Sequence, residues 1–250
     1  MPTILITGCS SGFGLETARH FLAEGWRVIA TMRSPKTDML PASERLTILP
    51  LDVTDPKSIA TAVAAAGDID VLVNNAGIGW LNAVERTPID TVRDIFETNT
   101  LGTIAMIQAV LPQFRARRAG VIINVTSSVT LRPYDLLSVY TASKAAVNAL
   151  TEVMALELAP FGIRAHVVLP GQAPSTSFGT TARARLAQTG GFPEAYADMI
   201  QEVFAKLTSG SDEEKTKPED VVAAIWTVAN TPDAPLRVPA GADAVALFKG

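Results

Sequence analysis

Tyr140 and Lys144 stand four residues apart in the run SVYTASKAAV (138–147), with only small side chains between them. On a helix, positions i and i+4 share a face, so the phenol and the ammonium would lie side by side. A free phenol titrates near pH 10, too high to exchange a proton readily at neutrality. An ammonium beside it favours the phenolate and should pull that value down. The pair is a candidate proton-transfer device, and the small residues around it would let the helix lie close to whatever it serves. Taken alone, the same pentapeptide also fits a helix surface on which alanine serves helix propensity.

The elements that must position this pair are legible as alternating apolar runs and helical periods. Strand-length apolar runs occur at 3–7, 27–31, 46–53, 70–77, 120–127, 163–171 and, more weakly, in DAVAL at 243–247. Helical periodicity fills 13–24, 56–66, 91–111, 138–159 and 218–229. Such alternation predicts an α/β domain spanning 1–250, in which a parallel sheet is covered on both faces. The least regular part, about 172–217, carries Phe178, Leu186, Phe192, Tyr196, Met199, Phe204 and Leu207. An apolar, loop-rich insertion after a strand suits a lid or substrate wall; an ordinary pair of surface helices is the other reading.

The first strand runs into TGCSSGFG, where Gly8, Gly12 and Gly14 open the first helix. Glycines let a backbone turn tightly and approach a pyrophosphate at a helix N-terminus, where free amides and the helix dipole favour an anion. The spacing departs from G-x-G-x-x-G, so a plain strand-to-helix turn is also compatible with it. About 20 residues on, an NAD site would offer an acid to the ribose 2′-hydroxyl. The chain has TMRSPK instead, with Met32 followed by Arg33 and Lys36. A guanidinium there suits a 2′-phosphate, aided by Ser10 and Ser11, and predicts NADP(H) in preference to NAD(H). The competing reading of Arg33 is a solvated charge at a strand end.

Composition narrows the classes. The chain has 250 residues, 48% hydrophobic and 18% charged, and a net charge of −4, which leaves no basic footprint for nucleic acid. One cysteine and two histidines allow neither an internal disulfide nor zinc-ligand spacing, so no metal is expected. With no basic leader and no apolar span of about 20 residues, the expectation is a cytoplasmic protein without a membrane partner. His20 and His166 read as structural residues and Cys9 as a small filler of the glycine loop.

TGCSSGFG, the pair DV at 52–53, NNAG at 74–77, Asn99 in FETNTLG, the serines closing the fifth strand, YTASK and PG at 170–171 follow one another in a fixed order. In that order the chain resembles the short-chain dehydrogenase/reductase family over nearly its whole length. SSG, VIATMR and LRVPAGADAV look most like its hydroxysteroid and retinol dehydrogenase branch. The resemblance implies a doubly wound Rossmann fold that moves hydride between a nicotinamide and a carbonyl or secondary alcohol, most simply an apolar ketone. It implies that Gly8, Ser10, Ser11, Gly12, Phe13 and Gly14 hold the dinucleotide, with Asp52 and Val53 at the adenine and Asn75, Ala76 and Gly77 beside the fourth strand. Tyr140 matches the proton donor, Lys144 its partner on the nicotinamide ribose, and Asn99 a water-linked proton path to Lys144.

The family's serine falls on Ser127, counted both from Tyr140 and from Gly120, with Ser128 the alternative. Pro170 and Gly171 would face the nicotinamide. Beyond them, Ser175 matches the family's spacing and Thr176 its residue type. Trp80 and Phe178 are candidate substrate contacts with Ser127 and Tyr140. The resemblance further implies a homodimer or homotetramer. A dinucleotide-binding regulator without turnover is the alternative function, since a fold alone does not fix activity.

Overall fold

The computed structural model describes residues 1–176, 178–188, 190–208 and 215–249; the side chains at 178, 188, 207 and 208 also lie outside the described residues. Strands β1 (Thr3–Ile6), β2 (Arg27–Met32), β3 (Leu46–Pro50), β4 (Val71–Asn74), β5 (Gly120–Val125), β6 (Ile163–Pro170) and β7 (Arg237–Ala240) form one sheet in the order β3-β2-β1-β4-β5-β6-β7. Every pairing is parallel. Helices α1 (Gly12–Ala23), α2 (Pro56–Ala66), α3 (Ile89–Phe96), α4 (Gly102–Arg117), α5 (Ser138–Leu158), α6 (Phe178–Gln188), α7 (Ala197–Thr208), α8 (Pro218–Asn230) and α9 (Ala242–Lys249) connect and flank the strands.

Register explains why the strands read as unbroken apolar runs. Leu5 pairs with Ile29 and Leu72, and Leu72 with Ile122, so these side chains form one row across the sheet. That row packs with Ile59 and Ala62 of α2, Met106, Val110 and Phe114 of α4, and Met154 of α5. The alternating positions Ile6, Ala30, Val73 and Ile123 face the other way, toward Phe21 of α1 and Val221 and Ile225 of α8. With both faces covered, neither set can be polar. Each fully buried side chain of this size contributes on the order of 1.5–3 kcal/mol.

Two expectations change. The run 243–247 is helical, within α9, and the seventh strand is RVPA at 237–240. A short apolar run does not fix its own period. Val238 and Ala240 pair with β6 at the sheet edge, where Pro239 can be accommodated without a ladder N–H. The predicted helix at 91–111 is two helices, α3 and α4, joined by a π-helical turn over Glu97–Leu101, and α4 continues to Arg117. α2, in contrast, spans the predicted 56–66, because Asp55 caps it by accepting from the Lys57 amide at 2.9 Å and Pro56 occupies its first turn.

From β1 the chain winds outward to β3, then returns to lay β4 on the other side of β1. Strand order reverses there, and the carboxyl ends of β1 and β4 open a crevice.

Candidate active site

The two loops at the reversal are knitted together. The Thr7 hydroxyl accepts the amides of Asn75 and Ala76, each at 3.0 Å, and Asn75 Nδ2 donates to the carbonyls of Thr7 at 2.9 Å and Gly8 at 3.2 Å. Gly8 has φ +75°, and a Cβ on Gly14 would lie 2.5 Å from both Asn75 Nδ2 and the Gly8 carbonyl. Only glycine at these two positions lets the start of α1 nest against the NNAG loop. Cys9 fills the space beneath: it is fully buried, and burial pushes its thiol up to about 12, consistent with a packing role.

The loops floor a continuous cleft of about 1940 Å³, whose walls include Ser10, Ser11, Gly12, Phe13, Arg33 and Asp52 at one end. Such a volume exceeds an ordinary small-molecule pocket, at roughly 300–1,000 Å³. No acid stands in the first turn of α1, so its positive N-terminal end is electrostatically suited to an anion. The Asp52 carboxylate accepts from the Thr54 amide at 2.9 Å and hydroxyl at 2.8 Å, which together with the Arg33 charge hold it below the usual carboxylate range. Arg33 lies exposed on this wall, while Lys36 does not line it. Glycine backbone, a helix terminus, the Arg33 guanidinium and a wall of Asp52, Val53 and Asn75 make a lining that fits a nicotinamide dinucleotide.

Tyr140 and Lys144 project from α5 into the middle of the cleft, 6% and 5% exposed. The Tyr140 hydroxyl is hydrogen-bonded to Ser127, so of the two adjacent serines Ser127 is the one that meets the phenol. Ser127 is held in turn: Thr130 donates to its carbonyl at 2.8 Å, and Asn148 Nδ2 donates to the Thr130 hydroxyl at 2.9 Å. Lys144 Nζ donates to the Val125 carbonyl at 3.0 Å. A Cβ on Gly77 would sit 3.2 Å from both Lys144 Nζ and Asn99 Oδ1, which marks where the three elements converge.

Asn99 rides on the π turn. Its Oδ1 accepts the Ile78 amide at 2.8 Å, and its Nδ2 donates to the Ile78 carbonyl at 3.0 Å and to Ser143 Oγ at 3.1 Å. Ser143 Oγ donates to the Tyr140 carbonyl at 2.7 Å, and Thr100 donates to the Ser143 carbonyl at 3.0 Å. This corrects the expectation about the small residues. Ala142 and Ala145 are exposed and off the cleft wall; the smallness that matters is that of Ser143, which lets α5 meet the π turn.

The electrostatics also depart from the sequence reading. Burial pushes the Tyr140 phenol above its ordinary value, and the lowering influence is the Ser127 hydrogen bond rather than the Lys144 charge. Lys144 is itself desolvated, and burial lowers its ammonium to about 8.

Pro170 and Gly171 line the cleft, as does Thr176; Ser175 is exposed and off the wall. The position matched by residue type, not the one matched by spacing, faces the site. Trp80 is on the wall, 2% exposed, packed against Ile95, Val139 and Leu186 with its indole N–H donating to Thr87 Oγ1 at 2.9 Å. The side chain of Phe178, at the start of α6, lies outside the described residues. Phe204, in the segment read as a substrate wall, reaches the same cleft, and so do Val203 of α7 and Val129, Tyr134 and Leu137 after β5, four residues the sequence reading missed. Thr7 was missed too, although a threonine ahead of a glycine loop is the available signal for such a bracket. Among the described residues no cluster of three His, Cys, Asp or Glu could hold a metal, and no helix is long and apolar enough to cross a membrane.

A short chain dehydrogenase family profile matches residues 2–186. Human retinol dehydrogenase 8 is 34% identical over 255 residues, covering 94% of this chain and 80% of that protein. The structure superposes on a short-chain dehydrogenase from Streptomyces avermitilis with a TM-score of 0.83 and 33% identity, covering 100% of this chain and 92% of that one. It also superposes on ElxO with NADP bound, with a TM-score of 0.80 and 25% identity over 98% of this chain and 99% of that one. The profile, the relatives and the convergent cleft lead to one conclusion: the chain belongs to the short-chain dehydrogenase/reductase family, in its hydroxysteroid and retinol dehydrogenase-like branch.

Proposed function

We propose that the protein is an NADP(H)-dependent reductase of apolar ketones. The observation that carries this reading is the Ser127–Tyr140 hydrogen bond beside Lys144, in a cleft whose far wall bears Arg33. When bound, the nicotinamide supplies the hydride. The protein's task is then to hold the carbonyl and deliver a proton to its oxygen. Ser127 donates a hydrogen bond to that oxygen and stabilises the charge developing there. Tyr140 gives the proton; because burial raises its pKa, the phenol keeps its proton through neutral pH, the form a donor needs. Lys144, near 8, is still an ammonium at neutrality and returns a proton toward Tyr140, with Asn99 holding the path to it.

Arg33 at the end of β2, with no acid at Met32, favours a 2′-phosphate over a free ribose hydroxyl. The NADP-bound structural relative agrees in kind. Trp80, Leu137, Leu186, Val203 and Phe204 give the opposite end of the cleft an apolar lining that suits a bulky ketone. The test is the initial rate of NADPH and NADH consumption by the pure protein with small, aromatic and steroid-sized ketones. Turnover favouring NADPH with a bulky ketone is expected. Turnover favouring NADH removes the Arg33 argument, and no turnover with either cofactor across the panel overturns the reductase.

A further inference from the structure

The loop that leaves β6 is held by a carboxylate 71 residues further along the chain. Asp243, in the first turn of α9, accepts the Gln172 amide on Oδ2 at 2.7 Å and the Thr216 hydroxyl on Oδ1 at 2.6 Å. Thr216 Oγ1 in turn accepts the Gly171 amide at 2.9 Å, and Thr216 is 1% exposed. The Gln172 amide is thus tied directly to the acid, and the Gly171 amide to it through the Thr216 hydroxyl, which also lies 2.9 Å from the Ala240 carbonyl that Gly171 itself reaches at 3.3 Å. The loop and its tether at Thr216 are 45 residues apart, so the carboxylate joins both ends of the segment that carries α6 and α7.

Two glycines are cleared for this knot. A Cβ on Gly171 would lie 2.1 Å from Asp243 Oδ1, and one on Gly241, where φ is +99°, would lie 2.0 Å from Thr216 Oγ1. Asp243 itself lines the cleft, as do Gly171, Gln172 and Thr176. A bare carboxylate on the wall of a site for an anionic dinucleotide would repel it. Here both oxygens are turned into protein donors, so the charge is spent on fixing the loop.

We infer that Asp243, acting with Thr216, is a positioning residue: it sets the Gly171–Thr176 loop at the height where that loop meets the nicotinamide end of the cofactor. The inference rests on the cofactor reading above. It makes two separable statements, one about the loop and one about binding.

The test compares the full-length protein with Asp243→Ala, Asp243→Asn and Thr216→Val. Hydrogen–deuterium exchange of the ligand-free proteins reads the Gly171 and Gln172 amides, and titration of tryptophan fluorescence with NADPH reads affinity. A hydrogen bond to an ionised acceptor is of a size that makes a change of roughly tenfold or more the expectation. Asp243→Ala should speed exchange at the Gln172 amide by about that factor and at the Gly171 amide, which keeps Thr216 and the Ala240 carbonyl, by less, while the amides of β5 keep their protection, and should weaken NADPH binding about tenfold. In turnover the loss should fall on the KM for NADPH rather than on kcat. Asp243→Asn keeps one acceptor and should restore part of both effects; Thr216→Val should free Gly171 more than Gln172. Unchanged exchange in Asp243→Ala overturns the positioning role. Faster exchange with unchanged NADPH affinity overturns its link to the cofactor. Failure of the parent protein to bind NADPH removes the cofactor reading and that link together, while the exchange result still decides whether the knot holds the loop.

Discussion

Lys144 makes the protein less stable than it could be, and the cost is measurable. Its side chain is 5% exposed, its ammonium is lowered from 10.5 to about 8 by desolvation, and it donates to a backbone carbonyl, that of Val125 at 3.0 Å. A shift of that size corresponds to about 3 kcal/mol of destabilisation while the group is charged. Lys144→Met keeps the unbranched stem and removes the charge. Leaving the Val125 carbonyl without its donor costs about 1–2 kcal/mol, so the net gain at pH 7 is about 1–2 kcal/mol. For a chain of this length that is a rise in Tm of roughly 2–8 °C. The unfolded lysine holds its proton to pH 10.5 and the folded one only to about 8, so the parent gains stability between those values. The variant's advantage should therefore be full below pH 8 and fade by pH 10.5. Thermal melts of both proteins from pH 6.5 to 10.5 decide it. A variant that melts at or below the parent at pH 7, with a difference independent of pH, refutes the claim that Lys144 is held as a buried charge. Turnover should be lost in the same variant.

Tyr140→Phe should lower kcat by about 10²–10⁴ while NADPH still quenches tryptophan fluorescence with near-parental affinity; loss of binding instead would assign the phenol a structural role. Arg33→Ala should raise the KM for NADPH about tenfold, discounted for its exposure, and leave that for NADH unchanged. His166 is buried, with Nδ1 2.9 Å from the Pro235 carbonyl and Nε2 3.3 Å from the Arg164 guanidinium, and burial lowers its pKa. The folded state therefore favours the neutral ring, and stability should fall as pH drops below about 6.5. His166→Gln should flatten that acid limb in urea titrations at pH 5–7.

A parallel sheet covered on both faces, the glycine loop and the Tyr140–Lys144 pair were legible because each rests on local pattern. Two-sided burial leaves continuous apolar strands, whereas Asn75, Asn99 and Ser127 were reached only through the ordered motifs of the family resemblance. What was not legible depends on groups distant in sequence meeting in space. The rise in the Tyr140 pKa comes from burial by several elements, and no reading of YTASK supplies it. Asp243 looked like the start of a strand because DAVAL is too short to show its period; its role exists only through Gln172 and Thr216. Ser175 and Thr176 differ by one position in a loop without periodicity, so only the backbone path decides which one faces the cleft.

The π turn at Glu97–Leu101 has a consequence for how this chain tolerates change. α3, the turn and α4 run on as one helical rod into which an extra residue has been wound. A helix advances about 100° per residue, so the turn sets the angular phase between the two halves. Deleting one residue there would relax the rod to a regular helix and swing the buried face of α3, Thr91 and Ile95, by about that angle away from Trp80. It would also carry Asn99 out of reach of Ile78 and Ser143. Substitutions along this rod act one side chain at a time, whereas a single deletion within five residues would undo the packing on Trp80 and the hydrogen bonds of Asn99 together.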